Sequence, residues 1–284
     1  MISVQQTKCN AARVFFSPAQ STGLSFWWLG QAGFAFQYAD TRIMIDPYLS
    51  NSLADKYEGS EFPHIRMAPP PVRPEEIHKL DFVLCTHRHS DHMDPGTLPV
   101  LAKNNRDCLF IIPRSEQKAA IERGIPLTQI RPINAGEAIQ LTSKIRVHAI
   151  PSAHVNIETN QNNDHRYLGY IMNIGKISVY HSGDCVPYPE LVPNLQKYKI
   201  DIALLPINGR DALRQSRGVP GNFTFEEAVD ICRQAHIPIL LMHHFGMFEF
   251  NTVDPTEIRE KIDNSSAKVS CILPEINTEY SVSD

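Results

Sequence analysis

Apolar positions in the first half of the chain fall in short blocks, alternating with polar residues and broken by turn residues. The blocks Leu24 to Leu29, Gly33 to Tyr38, Arg42 to Asp46, Phe82 to Thr86 and Leu109 to Ile112 are the length of strands and predict a sheet-rich region. Between them, positions 51 to 74 hold five prolines and no sustained period, which predicts a long surface excursion that shapes a pocket mouth. A short helix is predicted over Pro113 to Arg123. Strands follow at Ile145 to Ile150, Tyr167 to Ile174 and Lys176 to His181, the last two meeting at a Gly175 turn, and at Asp201 to Pro206. From Phe223 to Ala235 the period becomes helical, with Thr224 as cap and two glutamates in the first turn, and this helix feeds a buried strand at Ile237 to Met242. A second helix, Pro255 to Ile262, is capped by Asp254 and precedes a last strand at Lys268 to Leu273. Strands outnumber helices, and no repeat or linker divides the chain, so one domain over residues 1–284 is expected.

Composition narrows the class. With 27 Lys and Arg against 31 Asp and Glu the formal charge is −4, which gives no electrostatic reason to bind nucleic acid or an anionic membrane. The six cysteines, at 9, 85, 108, 185, 232 and 271, form no C-x-x-C pair and read as reduced thiols. No apolar stretch reaches the roughly 18 to 20 residues of a membrane span, and Met1 to Asn10 lacks the blocks of a signal peptide, so a cytoplasmic protein is expected.

The sharpest chemical signal is Thr86-His87-Arg88-His89-Ser90-Asp91-His92, directly after an apolar run. Three imidazoles and a carboxylate at a strand end can converge on a divalent cation without helical geometry, and the order H-x-H-x-D-H is too specific for a polar turn. Further donors stand after other apolar runs: His154 in Ile-Pro-Ser-Ala-His, Asp184 in His-Ser-Gly-Asp, and His243 in Met-His-His-Phe-Gly. Singly each is weak; together they complete a dinuclear set. An imidazole-rich set favours Zn²⁺, and the carboxylates leave Mn²⁺ or Fe²⁺ open.

With these motifs the chain resembles the metallo-beta-lactamase superfamily, and within it the L-ascorbate-6-phosphate lactonase-like branch. Trp27-Trp28-Leu29-Gly30, Ile45-Asp46-Pro47, the histidine motif, Tyr180-His181-Ser182-Gly183-Asp184, Arg217-Gly218 and Met242-His243-His244 carry the resemblance. It implies a four-layer αββα sandwich, two mixed sheets face to face with helices outside. It also implies two divalent metal ions: His87, His89 and His154 on one, Asp91, His92 and His243 on the other, with His244 the alternative to His243 as last ligand, Asp184 bridging, and Asp46 orienting a ligand from behind.

The expected chemistry is hydrolysis of a small anionic substrate, such as a sugar-phosphate lactone, by metal-bound hydroxide, with Asp91 or a metal-bound water shuttling the proton. His244 is a candidate donor to the developing oxyanion, although strand alternation turns it away from the site if His243 faces in. Among Arg210, Arg214 and Arg217, which sit in a glycine-containing segment, Arg217 and then Arg210 are the candidates to grip the anionic group. His181 reads as support for the site, His64, His78, His148, His165 and His236 as surface or core residues, and Phe26, Trp27 and Trp28 as core anchors. Alternatives are a phosphodiesterase for a cyclic nucleotide or nucleic acid, and a non-catalytic ligand-binding member of the fold. Association into a homo-oligomer is left open.

Overall fold

The structure, a computed structural model, describes residues 2–9, 23–266 and 268–282; Met1 and Asn10, the ends of the segment read for a leader, lie outside them. Two sheets carry the chain. The first has eight strands in the order β1-β15-β2-β3-β4-β5-β6-β7: β1 (Gln5–Lys8), β15 (Thr278–Val282), β2 (Leu24–Gly30), β3 (Gly33–Tyr38), β4 (Thr41–Ile45), β5 (Phe82–Leu84), β6 (Leu109–Pro113) and β7 (Ile130–Ile133). The second runs β14-β13-β12-β11-β10-β9-β8: β14 (Ser270–Ile272), β13 (Ile239–His243), β12 (Ile202–Pro206), β11 (Ile177–His181), β10 (Leu168–Ile174), β9 (Ile145–Pro151) and β8 (Ala138–Thr142). Each sheet is antiparallel in one half and parallel in the other, from β4 to β7 and from β11 to β14. This is the mixed-sheet αββα sandwich expected from the sequence.

Side-chain alternation explains why two sheets pack with helices outside. In β2, Phe26 and Trp28 point into the core shared with the second sheet, whereas Trp27 and Leu29 point the other way. On that outer side lie Leu98, Leu101 and Ala102 of α2 (Leu98–Asn104) and Ala120 of α3 (Gln117–Glu122). Strands β12 and β13 are buried along their whole lengths, since α6 (Phe225–Gln234) covers their outer side with Phe225, Ala228, Val229, Ile231 and Cys232. The Thr224 and Glu227 side chains bond reciprocally to each other's backbone N–H, a capping box that fixes where α6 begins. Asp254 caps α7 (Pro255–Asp263) by accepting from the Thr256 N–H at 2.7 Å.

The excursion contains one helical turn, α1 (Ser52–Lys56), and its root is tied to the histidine loop by a buried carboxylate. Asp94 accepts from the hydroxyls of Ser50, Ser52 and Thr97 at 2.8, 2.6 and 2.5 Å and from the Gly96 N–H at 2.9 Å. A side chain at Gly96 would place its Cβ 2.3 Å from the Ser50 hydroxyl, so glycine is required for that close approach. Two further short helices, α4 (Leu191–Leu195) and α5 (Ala212–Ser216), sit in connections of the second sheet. Among the described residues no helix is long and apolar enough to cross a membrane.

Candidate metal centre

Every metal-ligand candidate follows the carboxyl end of a strand: the histidine motif after β5, His154 after β9, Asp184 after β11 and His244 after β13. Asp46 follows β4 in the same way. These strands point the same way within each sheet, so their carboxyl ends form one rim where loops can converge.

Two groups of donors meet there. His87, His89 and His154 bring ring nitrogens within 4.8 Å of one another, and Asp91, His92, Asp184 and His244 bring carboxylate oxygens and ring nitrogens equally close. Asp184 faces both groups. Its Oδ1 lies 3.2 Å from the Nε2 of His92 and 3.2 Å from that of His244, and its Oδ2 lies 3.6 Å from His154 Nε2. The buried His92 Nε2 and Asp184 Oδ1 have no hydrogen-bond partner. Such orphans are costly unless something satisfies them, and a divalent cation among two carboxylates and imidazoles would do so. The residues therefore fit the group that the sequence implies.

Buried partners set the tautomers. His92 Nδ1 donates to Asp46 Oδ2 at 2.7 Å, which leaves its Nε2 lone pair aimed at the centre. The Thr86 hydroxyl donates to the same Asp46 oxygen at 2.6 Å, so His87 Nδ1–H donates to Thr86 Oγ1 at 3.0 Å and His87 Nε2 is left free towards His89 Nδ1, also 3.0 Å away. Asp46 thus orients His92 directly and His87 through a hydroxyl. His181 bonds the Ala32 carbonyl through Nε2 and accepts the Gly183 N–H at Nδ1, bracing the loop that presents Asp184. Gly183, at φ +62°, would bring a Cβ to 2.8 Å from that of Thr86, so the residue before Asp184 must lack a side chain.

Charge divides the centre. Burial, helped by the neighbouring His92 and His89, holds His87 well below the usual imidazole range; burial and His154 lower His89 to about 4. At His92 and His244 burial again opposes the proton, but the carboxylates outweigh it, with Asp184 foremost. His92 is raised well above its ordinary value and His244 to about 9. Burial likewise disfavours ionised Asp91 and Asp184, yet the adjacent imidazoles keep both below the usual carboxylate range.

A cation must displace the protons on His92 and His244. Metal uptake at pH 7 should therefore release protons and weaken as pH falls below about 9, by up to about tenfold per unit for each proton displaced. Without metal, the raised His244 contributes stability that is complete below about 6.5, the ordinary histidine value, and lost as pH rises through about 9. Titration calorimetry in two buffers of different ionisation enthalpy measures the released protons; a heat of uptake independent of buffer would contradict this electrostatic picture.

Three sequence expectations are corrected. His243 ends β13 pointing away, with its ring stacked on His181 at 4.7 Å and edge-on to Phe34; it belongs to neither donor group, and His244 joins the second in its place. Alternation failed because His244 lies beyond the strand in the left-handed region, φ +64°, where its N–H reaches the Gln31 carbonyl at 2.9 Å. Arg210 is held by Glu227 through two bonds of 2.6 Å and does not line the site cavity. His64 does line it, and is not merely a surface or core residue. Arg217 also lines the cavity, in an ion pair of 2.9 Å with Glu61.

One residue of the site was missed altogether. Gln31, in the turn between β2 and β3, donates from Nε2 to Asp91 Oδ2 at 2.9 Å and lies 3.1 Å from His244 Nε2. Its only sequence signal is the Gly30-Gln31-Ala32-Gly33 turn, whose glycines permit the bend but do not reveal what the glutamine reaches.

Comparison with known proteins matches the part of the chain that carries the metal-donor residues to a described family. The profile of the Beta-lactamase superfamily domain aligns with residues 41–245, which contain all the donors above. The chain belongs to this family. A UPF0173 protein of Pyrococcus furiosus is 30% identical over 83% of this chain and 89% of its own length. A UPF0173 metal-dependent hydrolase of Caldivirga maquilingensis is 30% identical over 64% of this chain and 69% of its own. Among solved structures, isothiocyanate hydrolase from Delia radicum gut bacteria superposes with a TM-score of 0.71 at 20% identity, covering 88% of this chain and 96% of that one, a likeness of fold.

Proposed function

We propose that the chain is a metal-dependent hydrolase, the activity that its UPF0173 relative's name carries, and that it works at a dinuclear centre. The observation that supports this most is Asp184, one carboxylate facing both donor groups across 3.2 and 3.6 Å, as a bridge between two cations must. In this reading His87, His89 and His154 hold one cation, Asp91, His92 and His244 the other, and five imidazoles against two carboxylates favour zinc. Divalent cations there would act as Lewis acids on the scissile oxygen and lower the pKa of a coordinated water from about 15.7 toward about 7.

The chain's own groups do the rest. Asp46 and Thr86 fix the rings, and Gln31 positions the Asp91 carboxylate. As a member of the second donor group, Asp91 would spend its carboxylate on the cation, so its part is to hold charge and metal rather than to shuttle the proton.

For a phosphate-bearing substrate, such as the sugar-phosphate lactone, the sequence offered Arg217 as the anion grip, and in the structure that guanidinium is paired with Glu61. A carbonyl compound without a required phosphate is the better reading. The test loads the protein with Zn²⁺, Mn²⁺ or Fe²⁺ and assays esters, lactones, amides and phosphodiesters, with metal content measured beside each rate. Hydrolysis of a carbonyl substrate that disappears with chelation and returns with metal is the expected result. Metal-loaded protein that cleaves phosphodiesters alone, or nothing in the panel, overturns the reading.

A further inference from the structure

The donor groups open onto a cavity of about 850 Å³ whose lining also includes a group of rings. Tyr57, Phe62 and His64 come from the excursion, Phe248 and Phe250 from the loop after β13, so two segments far apart in sequence make one wall. His64 is its centre. Its imidazole stacks on Tyr57 at 4.2 Å with 21° between planes, and meets Phe248 and Phe250 edge-on at 4.9 and 4.8 Å. Phe62 leans on Phe250 at 5.0 Å.

The wall is apolar in charge as well as in shape. A carbonyl can only accept, so the 2.8 Å contact between His64 Nδ1 and the Phe62 carbonyl places the proton on Nδ1, and burial lowers the pKa of the ring, keeping it neutral. Tyr57, Phe62, His64 and Phe250 are only half-buried, with ring surface left on the cavity. A wall meant only for packing would have covered them.

Three of the four Lys and Arg side chains of the lining, Lys56, Arg88 and Arg217, already have partners. Lys56 lies over the Tyr57 ring at 4.9 Å, Arg217 is bonded to Glu61, and Arg88 is 3.9 Å from Glu116.

We propose that this ring wall is the specificity subsite of the hydrolase, and that the substrate is a carbonyl compound bearing a flat apolar group, aryl or arylalkyl, which lies against Tyr57, His64 and Phe250 while its carbonyl reaches the donor groups. The proposal rests on the hydrolase reading for the word substrate, but the subsite itself is a matter of binding. A flat group is favoured over a round one because offset-stacked and edge-on contacts reward a π-face.

The test uses ketones, which carry the carbonyl and cannot be hydrolysed. Binding of 4-phenyl-2-butanone, 4-cyclohexyl-2-butanone, 2-butanone and inorganic phosphate to the metal-loaded protein is measured by saturation-transfer NMR. The phenyl ketone should bind at least about tenfold tighter than 2-butanone, the gain expected for burying one ring, and measurably tighter than the cyclohexyl ketone. The preference should vanish in His64→Ala and in Phe250→Ala and persist in His64→Phe. Circular dichroism and metal content accompany each variant, and Phe250, only half-buried, provides the second test should His64→Ala fail to fold.

Equal affinity for all three ketones, displacement of the phenyl ketone by phosphate at lower concentration, or a preference that survives both alanine variants overturns the subsite. The two readings fail separately. A ring preference in a protein that hydrolyses nothing in the substrate panel sinks the hydrolase and leaves the subsite, whereas hydrolysis without ring preference does the reverse.

Discussion

Asp184→Asn should deplete both halves of the centre and remove turnover together. The amide keeps the shape of the carboxylate but loses its charge and turns one acceptor oxygen into a donor, in a position where the partners are the Nε2 atoms of His92, His244 and His154. Even a residue behind a ligand typically costs about 10 to 100-fold in metal affinity, so a carboxylate facing both donor groups should cost about 100-fold or more, with kcat/KM falling in step. A second effect separates this from simple damage. Asp184 is the largest carboxylate contribution raising His92 and His244, so in the metal-free variant both imidazoles should lose their protons at lower pH, and fewer protons should leave on metal uptake. Elemental analysis and calorimetry measure the two effects side by side. Full metal content with undiminished turnover would contradict a bridging position; full content with lost turnover would move Asp184 from holding metal to the reaction itself.

The strands that the sequence revealed are those whose apolar alternation or continuous apolar run was unambiguous, and the parallel core β4, β5, β12 and β13 was legible for that reason. Several others were not. β7 is short and mixes exposed with buried positions, β8 has no buried position at all, and α2 begins with Leu98-Pro99 at the end of a turn-rich stretch that hides its period. β15 did carry a signal, Thr278, Tyr280 and Val282 buried in strict alternation, but five residues near the end of the chain are easily passed over. The predicted helix from Pro113 proved to be the end of β6, a 3₁₀ turn and then α3.

Within the site, residue types were legible and backbone conformation was not. The motif order named His87, His89, Asp91 and His92 because their types and spacing suffice for the chemistry. Asp46 was named through the resemblance, whereas Gln31 and the inward turn of His244 depend on left-handed backbones, φ 52° and 64°, at about 1 to 3 kcal/mol each, which no residue alphabet announces. The ring wall was hidden for a different reason. Its two segments meet only in the fold, so His64 in the excursion and Phe248 and Phe250 after β13 each read as ordinary until they share a cavity.

The neighbouring pair His243 and His244 gives the sharpest test of which imidazole serves the centre, because the same substitution should have opposite consequences one residue apart. His244→Leu removes a donor whose Nε2 stands 3.2 Å from Asp184 and 3.5 Å from Asp91, and leaves those two buried carboxylates facing each other with one positive neighbour fewer. Metal affinity at that group and turnover should both fall by about two orders of magnitude or more, as loss of a direct ligand requires. The left-handed φ adds strain for a bulky leucine, so stability should fall as well. His243 is also fully buried, yet neither of its ring nitrogens has a hydrogen-bond partner, and its surroundings are Phe34 and His181. An unpaired buried polar group costs about 1 to 3 kcal/mol, so an apolar side chain of similar size recovers part of that cost. His243→Leu should therefore leave metal content intact and change stability by less than about 1.5 kcal/mol in either direction. Denaturant unfolding and elemental analysis of the two variants decide the matter: if His243→Leu empties the centre while His244→Leu does not, the donor set must be redrawn with His243 turned inward.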